Sequence, residues 1–158
     1  MQHNHRQPVV LLLLAALLLG GCGGGESGHG HGHVHKAPHD GTLVELGNHE
    51  FNLELVHDEA AGTLAAYVLG AHAERHLQIE QPSIAINLKA GAETHELELK
   101  AVADELTKET VGDTSHFSAQ SEWLKKHGIS GTVVSVTIKG STYTKVSFDL
   151  DAHHGHAQ

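Results

Sequence analysis

The sequence predicts an all-β fold, an immunoglobulin-like antiparallel β-sandwich of about eight short strands, and three observations carry that expectation. From His39 onward apolar and polar residues alternate with a period of two, the pattern of a half-buried strand. Clusters of Gly, Asn, Asp and Pro interrupt the alternation at short intervals, as turns do. Helical spacing of apolar residues is nearly absent.

Gly41–Leu46 is the first expected strand, and Gly47-Asn48 suits a tight hairpin turn into His49–His57. There Phe51, Leu53 and Leu55 share the core face, while Asn52 and Glu54 share the wet one. A hairpin closed on Gly47-Asn48 sets Leu46 opposite His49, Val44 opposite Phe51, Gly41 opposite Glu54 and His39 opposite Val56. Asp58–Gly62 turns the chain into Thr63–Leu69. Ala71–His76 reads either as a short helical turn or as a loop, and Leu77–Ile79 as a short strand before Pro82. Ser83–Leu88 points Ile84, Ile86 and Leu88 inward. His95–Ala103 alternates Leu97 and Leu99 with Glu96, Glu98 and Lys100. Asp104–Asp113 is a loop and Ser115–Ala119 a strand. Ser121–His127 forms one or two helical turns, capped by Ser121 and stopped by Gly128. A final hairpin, Gly131–Lys139 with Thr142–Leu150, brings Val134, Val136, Ile138, Val146, Phe148 and Leu150 to the core.

The start of the chain has a different character. Arg6 precedes the apolar run Val9–Leu19, which is too short to span a bilayer comfortably as a helix. The run ends in Leu19-Gly20-Gly21-Cys22, which looks like a bacterial lipobox. Residues 1–21 are therefore expected to be a lipoprotein signal peptide. Cys22, the chain's one cysteine, is the expected lipidation site, its acyl chains anchoring the protein to the membrane. Gly23 follows the cysteine where an Asp would resemble an inner-membrane retention signal, so an outer-membrane location facing the periplasm is expected. Residues 22–37 form a flexible Gly- and His-rich linker, 38–150 the β domain, and 151–158 a His-containing tail.

The chain holds 17 His against 10 Lys and Arg, and its formal charge is −9. So acidic a balance argues against nucleic-acid partners and suits attraction of cations. In the linker, His29, His31, His33 and His35 occupy alternate positions, so an extended backbone sets them along one side. Neutral imidazole is the commonest protein ligand for transition metals, and its softness favours zinc, copper(II) or nickel over calcium or magnesium. His72 and His76 share one face if their segment is helical. His39 and Glu54 become diagonal neighbours across the predicted hairpin, within reach of a shared ion. His153, His154 and His156 form a second cluster in the tail.

The segment Pro38-His39-Asp40-Gly41-Thr42-Leu43-Val44-Glu45-Leu46-Gly47-Asn48-His49, continuing to Leu53-Glu54-Leu55-Val56, carries a resemblance. It is similar to a PHxGxLVxxGxH segment of small uncharacterised bacterial lipoproteins, shared with periplasmic adaptor subunits of heavy-metal efflux systems. Thr63–Leu69, Ala71–Glu74 and Ser115-His116-Phe117 also resemble those lipoproteins, so the likeness covers about residues 38–120. Asp40 fills the variable position of the pattern, where Gly is expected, and the coiled hairpin of an efflux adaptor is missing. The resemblance implies an accessory of metal efflux rather than an adaptor.

No nucleophile elbow, P-loop, dinucleotide fingerprint or C-x-x-C is present, so no enzyme is expected. The expected function is binding or buffering of transition-metal ions by an envelope lipoprotein, with a metal-efflux protein as a partner. The competing expectation is a non-catalytic β-sandwich module that docks to another envelope protein, its histidines incidental.

Overall fold

The computed structural model describes residues 35–151. The expectations for Cys22, His29, His31 and His33, and for the tail histidines, lie outside the described residues.

Within them the fold is all-β. Eight strands run Thr42–Leu46 (β1), Phe51–Asp58 (β2), Thr63–Gly70 (β3), Ser83–Ala90 (β4), Glu93–Ala101 (β5), His116–Gln120 (β6), Ile129–Ile138 (β7) and Ser141–Asp149 (β8). All pair antiparallel in one sheet of order β1-β2-β3-β6-β5-β4-β7-β8. The predicted facing apolar layers are opposite halves of this sheet, which curls until β1 and β8 come together. At that seam the Tyr143 hydroxyl donates to Glu50 in the β1–β2 turn, and the Tyr143 ring meets Phe51 edge-on.

Alternation builds the interior. Leu53, Leu55, Leu64, Ile84, Ile86 and Leu99 all point inward and are fully buried, each contributing about 1.5–3 kcal/mol. Phe117 fills the middle, and Leu124 closes one end from the 3₁₀ turn Glu122–Lys125. That turn is shorter than the helix expected over 121–127. Ser121 occupies its N-cap position without making a side-chain capping bond.

Two register details depart from the sequence reading. The first turn holds residues 47–50, so Leu46 faces Phe51, Val44 faces Leu53 and Leu43 faces Glu54. The pairing is thus displaced by two residues from a hairpin closed on Gly47-Asn48. An even displacement leaves every side chain on its predicted face. Gly47 and His49 take positive φ in the wider turn, and His49 is exposed there rather than lying with the core. In β7 the register against β4 shifts between Ala85, opposite Ser135, and Ile86, opposite Val133. Val134 is the extra residue of this bulge. It turns outward, 38% exposed, while Val133 and Val136 are buried. Strict alternation had placed Val134 inside; a bulge resets the phase.

The segment 71–76 is a loop, tied to β3 by the Leu69–His76 bridge. The long connection between β5 and β6 is a folded excursion, with bridges Asp104–Glu109 and Thr110–Asp113.

Candidate metal centre

The outer face of β2 departs from the rule that outward residues stay wet. Leu53 and Leu55 point into the barrel, so Asn52 and Glu54 point out, yet Asn52 is 5% exposed and Glu54 not at all. The chain before β1 and the loop after β3 cover them. Asn52 Nδ2 donates to the carbonyls of Gly70 and Ala71, each at 3.1 Å, pinning the start of that loop. Glu54 pins the N-terminal segment. Its Oε1 accepts the backbone N–H of His39 at 2.7 Å and of Gly41 at 3.1 Å, and its Oε2 lies 2.8 Å from His39 Nδ1.

Gly41 is what allows the segment to lie so close. A Cβ on it would stand 2.5 Å from the Leu55 carbonyl oxygen and 2.9 Å from Val56 Cγ2. Asp40 just before it has φ +56°, the left-handed region where glycine is at ease.

Glu54 also fixes the chemistry of His39. A carboxylate can only accept, so Nδ1 carries the proton and Nε2 is left with its lone pair. Carboxylate-oriented imidazoles of this kind are the usual partners of protein-bound metals. Because both Glu54 oxygens are taken up inside the protein, its place is behind His39 rather than on an ion.

Cross-strand pairing extends the arrangement sideways. Glu54 is opposite Tyr67 on β3, and Tyr67 is opposite His116 on β6. His39 stacks on one face of the Tyr67 ring, centroids 3.9 Å apart and planes at 15°; His116 stacks at 4.5 Å and 11°. Burial, and then the Glu54 charge, push the Tyr67 hydroxyl above its ordinary 10.0. Burial pulls His116 below 6.5, against the carboxylates of Glu109 and Asp104 and with help from His39 and His76. Glu109 is itself buried, accepting from Thr114 Oγ1 at 3.0 Å and Ser115 Oγ at 2.7 Å.

The loop supplies two more imidazoles. His76 lies 5.4 Å from His39, centroid to centroid, with planes at 22°. His72 lies 5.5 Å from His35, tilted at 60°. Two imidazoles sharing a zinc ion at about 2.0–2.1 Å per bond have centroids about 5–5.5 Å apart. Among the described residues, no three His, Cys, Asp or Glu side chains already converge on one point to hold an ion. The face therefore offers imidazoles in pairs.

The structure brings His39 to Glu54 and His76, and His72 to His35, all of them singled out in the sequence. The sequence placed His39 and Glu54 only as diagonal neighbours; the chain folds back further and makes the contact direct. Tyr67 and His116 went unnoticed as partners of this face. The signal that could have found them is register, which sets 54, 67 and 116 in one row across three strands. Compared with family models, curated proteins and solved structures, the chain matches none.

Proposed function

We propose that this chain binds divalent transition-metal ions, zinc, copper(II) or nickel, through His39 and His76 on the outer face of the barrel. The observation that carries the reading is the buried Glu54 carboxylate holding His39 by Nδ1, 2.8 Å away, with the His76 ring 5.4 Å from that of His39, centroid to centroid. Water completes the shell. The binding is exchangeable, because two ring ligands and a water-filled remainder do not enclose an ion. In this reading Cys22 carries the lipid anchor, the protein faces the periplasm from the outer membrane, and it buffers metal for an efflux partner.

The test is a calorimetric titration of the full chain with each ion at neutral pH. His39→Ala or His76→Ala is expected to weaken the tightest site about tenfold or more. Binding no tighter than about a millimolar for all three ions overturns the reading.

One observation favours the docking alternative: Leu106 and Val111 are 95% and 65% exposed on the excursion between β5 and β6. Side chains of this kind suit a protein partner. A partner recovered from solubilised envelope in the presence of chelator, and lost with Leu106→Ser, supports it over metal binding.

A further inference from the structure

The imidazoles beside the barrel form two pairs, and the pairs have the same construction. Each takes one ring from the segment before β1 and one from the loop after β3. His35 meets His72 and His39 meets His76, with centroids 5.5 and 5.4 Å apart. Along both stretches the histidines stand four residues apart, at 35 and 39 and at 72 and 76. The pairs are therefore two rungs of a ladder. A four-residue span reaches at most about 14 Å, so along each rail the two rungs lie within that distance of one another.

The two rungs are held unequally. The loop rail is fixed: Gly70 N–H donates to the Arg75 carbonyl and Ala73 N–H to Gly70, both at 2.9 Å, and Asn52 holds the carbonyls of Gly70 and Ala71. Ala73 is buried between His72 and His76 with φ +56°, so this rail has little freedom to shift. On the other rail His39 is clamped by Glu54, whereas His35, among the described residues, has no such carboxylate. Its contact is the tilted one with His72. A clamped rung binds more tightly, because its orientation is settled before the ion arrives. A loosely held rung exchanges ligands faster.

We infer that His35 and His72 form an entry subsite that passes a divalent transition-metal ion from solution to the His39–His76 rung. The inference rests on the metal reading of that inner rung. Transfer is a stepwise exchange in which one imidazole–metal bond forms as another breaks, the ion keeping its charge.

The probe is Zn(II) transferred from a fluorescent zinc indicator to the full chain in detergent. A stopped-flow trace gives the capture rate and the endpoint gives the affinity. His72→Ala is expected to slow capture about tenfold or more, with His35→Ala behaving alike. Both leave the endpoint within about twofold of wild type, whereas His76→Ala lowers it about tenfold or more. An unchanged melting temperature for each variant excludes misfolding as the cause. Capture by His72→Ala at the wild-type rate overturns the entry role. So does an endpoint loss equal to that of His76→Ala, which makes all four rings one site. A wild-type chain that draws no zinc from the indicator overturns instead the metal reading on which the inference stands.

Discussion

Two regions of this barrel carry histidines beside carboxylates, and they are built in opposite ways. On the outer face of β2 and β3, His39 meets a carboxylate that has no solvent exposure, and its ring is 34% exposed. At the end of the barrel capped by the 3₁₀ turn, His127 meets Glu59 at 2.8 Å, but the His127 side chain is 85% exposed. That second region is an open groove of about 670 Å³ lined by His57, Asp58, Glu59, His127 and Asp151. By composition the groove too is rich in metal-ligating side chains. What it lacks is buried anchorage: His57 Nε2 lies 2.6 Å from the Leu124 carbonyl and Asp58 accepts the Ala61 N–H at 2.9 Å, but Glu59, the carboxylate beside His127, is itself 28% exposed. The contrast teaches that a site is made by what stands behind its ligands, not by how many there are. A buried carboxylate loses its hydration and must be repaid by hydrogen bonds, so its partners are fixed in place. An exposed pair surrenders little to water and gains little, so its geometry is loose.

The comparison breaks most visibly if the two carboxylates are removed in turn. Glu54→Ala leaves the His39 and Gly41 amides and His39 Nδ1 without their acceptor and opens a cavity. A loss of about 2–4 kcal/mol in urea unfolding is expected. Glu59→Ala is expected to change stability by less than about 0.5 kcal/mol. Glu54→Gln keeps the shape and one acceptor oxygen, so its cost falls between. Equal losses at positions 54 and 59 would mean that burial does not distinguish the regions.

The same contrast explains what could be read from the residues alone. The barrel interior was legible because strand alternation is a local code: Leu53, Leu55, Ile84, Ile86 and Leu99 declare their face by position. Glu54 follows the same code and also points outward, but no periodicity reveals that a stretch from outside the sheet lies over it. That covering depends on a close approach, and Gly41 was its one local trace. The His39–Glu54 pairing was foreseen as a neighbourhood, because hairpin geometry limits which residues can meet. The wide turn over 47–50 and the bulge at Val134 were not foreseen, since both insert residues without altering the alternation of types. Tyr67 and His116 were hidden because β6 is inserted between β3 and β5, and strand order is not encoded in any one segment.

A smaller effect sharpens the comparison through protons. His116 titrates below the ordinary imidazole value because it is partly buried behind Tyr67. Glu109 and Asp104 oppose the shift, while His39 and His76 add to it. The unfolded chain thus takes up a proton at this residue at a higher pH than the folded one. Its contribution to stability is full above pH 6.5 and declines as the pH falls toward the lower folded value. Unfolding measured in chelator between neutral pH and pH about 5 should therefore show a loss that His116→Gln reduces. A profile equally steep in the variant would place that loss elsewhere among the histidines. Tyr67 acts at the other limit: its raised value makes stability fall once the pH passes 10.0.

The smallest effect separates flexibility from close approach at two adjacent residues. Asp40 pays for a left-handed backbone that glycine adopts freely, about 1 kcal/mol or somewhat more. Replacing it also frees the unfolded chain, which offsets about 0.4–1 kcal/mol of that gain. Asp40→Gly is therefore expected to leave stability within about 0.5 kcal/mol of wild type, read by urea unfolding. Gly41→Ala adds only a methyl, but against a backbone oxygen 2.5 Å away that cannot turn aside. It is expected to cost about 1–3 kcal/mol and to loosen His39 from Glu54. At the open groove, Gly128 has nothing nearer its Cβ position than Asp151 Oδ2 at 3.9 Å, so Gly128→Ala meets only the strain of its positive φ. If Gly41→Ala costs no more than Gly128→Ala, the segment before β1 is not held against the sheet as tightly as the Glu54 hydrogen bonds require. The anchored region would then be no better organised than the open one.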